Sequence, residues 1–507
     1  MKTKRTNDER VSFLTQLIRE SKSGYENYKP HFKELQDAYL LENKVMQKLR
    51  KRNKSSIYIP KINSKVKYLI TSLNEVYFNS ERMADIETYI NSDDTIIELW
   101  QNAIDFYSGK INMFKIFQPL FLDVLLVGTS IAKLTWHKGM PRIERVDIDS
   151  IFFDPNALNS EDIGYIVNEI YLTYNQIHER QKLGFYKKIE IQKLFDEDDE
   201  YKKVKLYDIY ERKNDDEWVV STLFENNLLR NEIDLKDGQP FIWGSMLPQL
   251  KKIDNENYVS AYGEPIMASA MPLQDEINIT RNLLIDAVRS HIMPKIMGVS
   301  REDIETLGKP IYTDDPKGIQ ILPPPNINSS GINLQLLESE LTEVTGISPQ
   351  NNGAQTAQNE TATEISIKAQ EGGRRSADYI RQYNETFIEP LFDRFAMLVF
   401  KYGEDSFFNG FQREDIPSFR FKIQTGTGAM NKEIRRAGIQ ASMQVFSQLY
   451  QMYMSIGDAN SAYGIINASK ELTKELLPIL GVKNVNTLFA FENNEDINPQ
   501  MQGETNA

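Results

Sequence analysis

The chain predicts an α+β, mainly helical protein made of several lobes. In most of its long segments apolar residues recur at steps of three and four, the mark of helices with one buried face. Alternating apolar runs are confined to two blocks, 130–173 and 203–262. Its 507 residues exceed what one core organises, so two to four lobes are expected.

From the N-terminus, Glu9 to Leu41 has helical period, with breaks expected at Ser21 to Gly24 and at Pro30. Lys48 to Lys54 (KLRKRNK) reads as a basic cluster in a polar turn, most simply a solvated one. Ile62 to Tyr77 is a helix with Val66, Leu69, Ile70, Leu73 and Val76 on one face. Thr95 to Val127 reads as helix, stopped by Gly128, since the position after a helix often needs positive φ. Strands follow at Ser130 to Trp136, Arg142 to Phe153 and Gly164 to Thr173, then a short helix at Tyr174 to Lys182. Asp196 to Glu200 is a solvated acidic run.

Lys203 to Tyr262 is β-rich and reads as an insert, with a hairpin turn at Asn226-Asn227. Gly263 to Met293 then reads as one long helix. Ile266, Ala270, Leu273, Ile277, Leu284 and Val288 form its apolar face, and Asp275, Asn278, Asn282, Asp286 and Arg289 a polar stripe. Short strands are expected near Lys295 to Val299 and Ile319 to Leu322, and a helix at Ile332 to Val344.

Gly346 to Glu360 (GISPQNNGAQTAQNE) has almost no large apolar residue and reads as a mobile loop. Thr361 to Glu364 is a capping box, so a helix starts there and reaches toward Tyr402, bent at Gly372-Gly373 and Pro390. Gly426 to Gly428 is a turn, Asn431 to Met454 and Ala462 to Leu480 are helical, and the polar tail after Phe491 is expected to be disordered.

Composition narrows the chemistry. With 40% hydrophobic and 26% charged residues the balance is that of an ordered protein. There are no cysteines, which excludes disulfides, thiol nucleophiles and cysteine-bound zinc. Four histidines, His31, His137, His178 and His291, share no helical spacing for a metal pair. Gly308-Lys309 lacks the upstream glycine of a phosphate loop, and Asn431 stands where a dinucleotide loop starting at Gly426 needs its third glycine. Asp147 and Asp149 would share one face of a strand and form the one pair that could hold Mg²⁺. No apolar run reaches the ~18 residues of a membrane span. The polar first ten residues carry no secretory signal. The net charge of −13 argues against a tight, general DNA binder, which needs a basic face; alone, it says only that a large protein stays soluble.

Three pieces in order carry a resemblance: Arg52 to Thr88 (RNKSSIYIPKINSKVKYLITSLNEVYFNSERMADIET), Phe114 to Trp136 (FKIFQPLFLDVLLVGTSIAKLTW) and Ile151 to Ala157 (IFFDPNA). Thr173 to Ile177, the helix from Tyr262-Gly263 with Gln274 to Asn278, and Thr361 to Glu364 extend it. The chain resembles the portal proteins of tailed bacteriophages, above all the short-tailed ones. The resemblance implies a portal fold, with wing, stem, clip and crown regions around a central channel in a ring of twelve subunits.

On that pattern 1–173 is the N-terminal wing, 174–202 wing or first stem region, 203–262 the clip and 263–293 the stem helix. Residues 294–345 return to the wing, 346–360 form the tunnel loop, 361–425 the wing and crown helix, 426–490 the crown and 491–507 a disordered tail. Gln350, Asn351, Asn352, Gly353, Gln355 and Asn359 would then touch DNA, the polar stripe would face the channel, and Trp218, Phe241 and Trp243 would meet partners at the clip.

The implied function is a structural DNA conduit in the virion, assembled in the host cytoplasm, with no enzymatic activity, metal, cofactor or membrane. Its implied partners are double-stranded DNA, the terminase large subunit, head-to-tail adaptor and tail proteins, and the major capsid and scaffolding proteins. The alternatives are a nucleic-acid-processing enzyme with a metal at Asp147 and Asp149, or another virion structural protein.

Overall fold

The computed structural model describes residues 6–42, 44–52, 54–78, 83–88, 94–188, 202–214, 217–253, 255–292, 296–297, 320–321, 328–346, 375, 377–408, 419–423, 429–456, 464–470 and 473. The chain divides into two compact units, 1–73 with 82–424, and 74–81 with 425–507. The smaller unit contains a long helix, Ala429–Ile456, and a helical stretch at 464–470.

The larger unit opens with α1 (Asn7–Tyr25), α2 (Lys29–Tyr39), α3 (Lys44–Lys51) and α4 (Lys61–Phe78). Thr6 and Glu9 form a capping box that starts α1. The break expected at Ser21 to Gly24 is absent, and α1 runs on to Tyr25. Gly24 is where the helix touches Pro155, since a Cβ there would lie 2.8 Å from the Pro155 Cβ. The basic cluster begins in a helix rather than a turn: Lys48, Arg50 and Lys51 occupy the last turn of α3, where cations complement the helix dipole, and Arg52 follows in a turn.

After β1 (Ala84–Thr88) the expected single helix is two, α5 (Asp94–Lys110) and α6 (Met113–Leu126). Asn112 separates them because its side chain accepts from the N–H of Lys115 and starts a new helix. Gly128, with φ of +73°, then ends the helical run. Next come β2 (Ser130–His137), β3 (Met140–Arg145), β4 (Ile151–Phe153), β5 (Tyr165–Thr173) and α7 (Tyr174–Lys182). The run Arg142 to Phe153 is broken by a 3-10 turn at Ile148–Ser150, capped by Asp147.

β6 (Lys203–Arg212), β7 (Trp218–Phe224), β8 (Asn227–Leu235), β9 (Phe241–Gly244), β10 (Pro248–Ile253) and β11 (Glu256–Gly263) follow. They do not form a separate insert. β6, β7 and β8 complete an antiparallel five-stranded sheet in the order β4-β5-β6-β7-β8. β9 completes a three-stranded sheet in the order β3-β2-β9. The strands of 203–262 thus cover apolar edges that 130–173 would otherwise expose. Only the hairpin β10–β11 stands by itself.

α1 is fastened to the five-stranded sheet by charge. Buried Arg10 donates to both carboxylate oxygens of Glu211, and Lys22 donates to Glu169 at 2.6 Å. Two glycines bring the sheets' connections together: a Cβ on Gly263 would lie 2.4 Å from the Gly128 carbonyl oxygen and 2.2 Å from Ser245 Cβ.

α8 (Met271–Ile292) begins later than its periodicity indicates, because Gly263 still ends β11. β12 (Ile296–Met297) pairs antiparallel with β13 (Gln320–Ile321), and α9 (Asn328–Thr345) packs against α8. The expected helix start at Thr361 lies outside the described residues. Residues 377–383 are helical, and a π-helical turn, Asn384–Ile388, leads into α10 (Glu389–Tyr402). The turn accommodates Pro390, whose ring and missing N–H break the regular ladder. β14 (Phe419–Ile423) pairs with β1. Trp100 of α5 stacks on Phe400 of α10 at 4.5 Å, tying the two helices. Among the described residues no helix is long and apolar enough to cross a membrane.

Candidate assembly and channel site

The polar face of α8 is a ladder. Gln274, Asn278, Asn282 and Asp286 recur at steps of four and meet the extended segment from Ser55 to Pro60 and the first turn of α4, which run the opposite way. The N–H of Ile62 donates to Gln274 at 3.0 Å, and Gln274 donates to the Ile59 carbonyl at 2.7 Å. The N–H of Ile59 donates to Asn278 at 2.7 Å. Asn282 accepts from the N–H of Ile57 and donates to its carbonyl, both at 2.7 Å. The Ser55 N–H donates to Asp286 at 3.1 Å.

The fit follows from two repeats. Four helical residues rise about 6.0 Å and two extended residues about 6.6 Å, so alternate strand positions keep step with every fourth helix position over this short span. The side chains act as a missing neighbouring strand.

The ladder corrects the expectation that the whole polar stripe faces an open channel. Asn278 is 0% exposed and Asn282 2%, both covered by residues of their own chain. Asp286 and Asp275 are half-buried, and Arg289 is exposed. Gln274, which belongs to the same row, was not part of the expected stripe; the i−4 step from Asn278 points to it. α8 also leaves Leu283, Val288 and Ile292 exposed, and α9 leaves Leu336 exposed while burying Leu337 and Leu341. Lys61 pairs with Glu338 at 2.7 Å, joining α4 to α9.

The three residues expected at a clip interface lie in the sheets. Phe241 is buried edge-on against Tyr210, with ring centroids 5.0 Å apart. Trp243 is half-buried against Phe153 at 4.9 Å, and Trp218 begins β7 opposite Arg212. Phe241 is a core residue and Trp243 packs on Phe153 because β9 pairs with β2.

Gln350, Asn351, Asn352, Gly353, Gln355 and Asn359 lie outside the described residues. The stretch leaves α9 at Gly346, whose φ is +67° and whose N–H donates to Thr342. On the far side, Arg375 donates to the Glu343 carbonyl at 2.8 Å, so the chain returns to the end of α9.

Asp147 and Asp149 have other partners. Asp147 caps the 3-10 turn and pairs with Arg145 at 3.2 Å, and Asp149 accepts from Tyr25 at 2.9 Å. Among the described residues no group of three or more His, Asp or Glu side chains is placed to hold a metal. A charge cluster surrounds Glu169. Burial opposes its charge, but donors from Lys22, Tyr171 and Lys205 outweigh that and hold its carboxyl down at about 2.

The phage SU10 portal protein family model matches residues 137–506. This chain belongs to that family. The matched region of the portal protein begins at His137, so it holds IFFDPNA, α8 and α9 but starts after the first two pieces that suggested the resemblance. Among solved structures, the neck of an empty GTA particle computed with C6 symmetry aligns over 80% of this chain and 88% of that one. The identity is 13% and the TM-score 0.34. No curated protein matches the chain.

Proposed function

We propose that this portal protein forms the ring at one capsid vertex through which double-stranded DNA enters and leaves, by resemblance a ring of twelve. The observation that carries the reading is the family match over residues 137–506. The protein acts in the virion after assembly in the host cytoplasm, as a structural part without its own catalysis. Its partners are the terminase large subunit during filling, adaptor and tail proteins afterwards, and the major capsid and scaffolding proteins around it.

Within the ring the stem is the pair α8 and α9. Their exposed Leu283, Val288, Ile292 and Leu336 supply apolar surface for neighbouring subunits. The clip is better sought between these helices, where β12 pairs with β13, than at 203–262, four of whose six strands belong to the larger sheets. Residues 346–360 are the tunnel loop and touch the duplex without gripping it, because the loop carries no Lys or Arg to neutralise phosphates. Asp147 and Asp149 are held by Tyr25 and Arg145, so a metal-dependent enzyme gains no support from them.

Negative-stain imaging of the purified protein tests the reading. Rings with a central hole are expected; a stable monomer at micromolar concentration overturns it.

A further inference from the structure

We infer that the turn Leu183–Gly184–Phe185 of one subunit seats in a groove between α2 and the β10–β11 hairpin of the next. The inference rests on the ring assembly proposed above and names a contact that joins its subunits.

The turn is a rigid apolar knob. Leu183 is 71% exposed and Phe185 62% exposed, on either side of Gly184 with φ of +79°. A single exposed apolar side chain is ordinary, but two large ones displayed together on a fixed turn are not. The turn is pinned from both sides. The N–H of Phe185 donates to the Arg180 carbonyl at 2.9 Å, and Arg180 donates to the buried Tyr186 hydroxyl at 2.7 Å. Past it, the N–H of Lys187 donates to the Leu229 carbonyl of β8 at 2.8 Å. Presenting the knob therefore costs little further ordering on binding.

The groove is its counterpart. It has a volume of about 730 Å³ and is lined by Tyr28, Phe32, Leu35, Leu250, Val259 and Met271. That volume lies within the size range of pockets that bury small organic ligands, so two side chains fit. Leu250 is 65% exposed and Val259 44% exposed on the hairpin wall.

Charge selects the occupant. Glu34 and Glu264 line the groove together with His31, and among the described residues lining it there is no lysine or arginine. Lys182, Lys187 and Lys188 flank the knob, all exposed, and with Arg180 they outnumber the one acid from 179 to 188, Glu179. A second copy of this chain supplies the complementary charge and shape in equal number. The two surfaces differ, one convex and basic, the other concave and acidic. The contact is therefore heterologous, the kind that joins successive subunits of a ring head to tail rather than pairing two of them about a two-fold axis.

The chain has no cysteine, so introduced thiols report unambiguously. Phe185→Cys subunits mixed with Leu250→Cys subunits and treated with a short bismaleimide should give a covalent dimer, and neither variant alone should. Both positions are exposed, so folding is not at stake. Lys182→Glu with Lys187→Glu should raise the concentration needed for assembly at least tenfold, and Glu34→Lys with Glu264→Lys should restore it. Rings that assemble normally without the mixed cross-link, or with Phe185→Ser unchanged, overturn the contact and leave the ring standing. Cross-linking of Phe185→Cys to itself overturns it as well. A wild-type chain that stays monomeric removes the ring reading and this contact together.

Discussion

Asn282 satisfies both backbone groups of Ile57, accepting from its N–H and donating to its carbonyl at 2.7 Å each. A side chain on one helix thereby fixes the register of a segment 225 residues earlier in sequence. Asn282→Ala should destabilise the chain by about 2 kcal/mol, the cost of leaving buried polar groups unpaired. Amide exchange at Ile57 should rise in step. Asn282→Asp should fare little better, because a carboxylate does not donate to the Ile57 carbonyl. Unchanged exchange in both variants would mean that the ladder is dispensable.

Gly263 is the tightest test of the sheet connections. Gly263→Ala would put a methyl within 2.4 Å of the Gly128 oxygen and 2.2 Å of Ser245 Cβ. Overpacking of this kind costs about 1–3 kcal/mol, and backbone neighbours with no room to move place it at the upper end. Chemical denaturation of the variant measures it. An unshifted midpoint would count against this packing.

Arg10 and Glu211 should show strong non-additivity. Arg10→Ala leaves Glu211 with only 12% of its side chain exposed and no guanidinium. Breaking such a pair costs about 3 kcal/mol, and adding Glu211→Ala should recover part of that loss. A double-mutant cycle measures the coupling; simple additivity would deny it.

Glu169 should contribute to acid sensitivity. Its folded carboxyl is held at about 2, below the ordinary value of 4.5. The stabilisation is therefore fully present above pH 4.5 and is lost as pH falls toward 2. Glu169→Gln should be less stable than wild type at pH 7, with the difference shrinking through that window. Parallel stability curves for the two proteins would remove this role.

Gln355 tests the tunnel loop. A photoreactive reagent on Gln355→Cys in filled capsids should cross-link to packaged DNA. Free labelling by a bulky reagent with no DNA adduct would place the loop outside the channel.

Much of the local structure was legible from the chain. Helical period locates α4 to within a residue at each end, and α7 spans Tyr174 to Lys182 as its sequence indicates. The step of four along Asn278, Asn282 and Asp286 marked one face of α8 correctly. What that face touches was not legible. An amide row reads the same whether it meets water in a channel or a backbone strand, since both supply donors and acceptors. The block 203–262 was rightly read as strands but wrongly as a separate unit, because alternation reports which residues face inward and not which strand lies alongside.

The sequence by itself determined the class of the protein: mixed and mainly helical, without thiol chemistry, and carrying the ordered pieces of a phage portal protein. The first two are local or cumulative, set by periodicity, capping and composition, and the third is a resemblance carried by the order of short motifs. Tertiary structure alone decided that β6 joins β5, that Phe241 belongs to the core, and that the asparagine ladder binds Ser55 to Ile62. Each of these is a pairing between distant segments. Its energy comes from buried area and closed hydrogen bonds that exist only once both partners are in place.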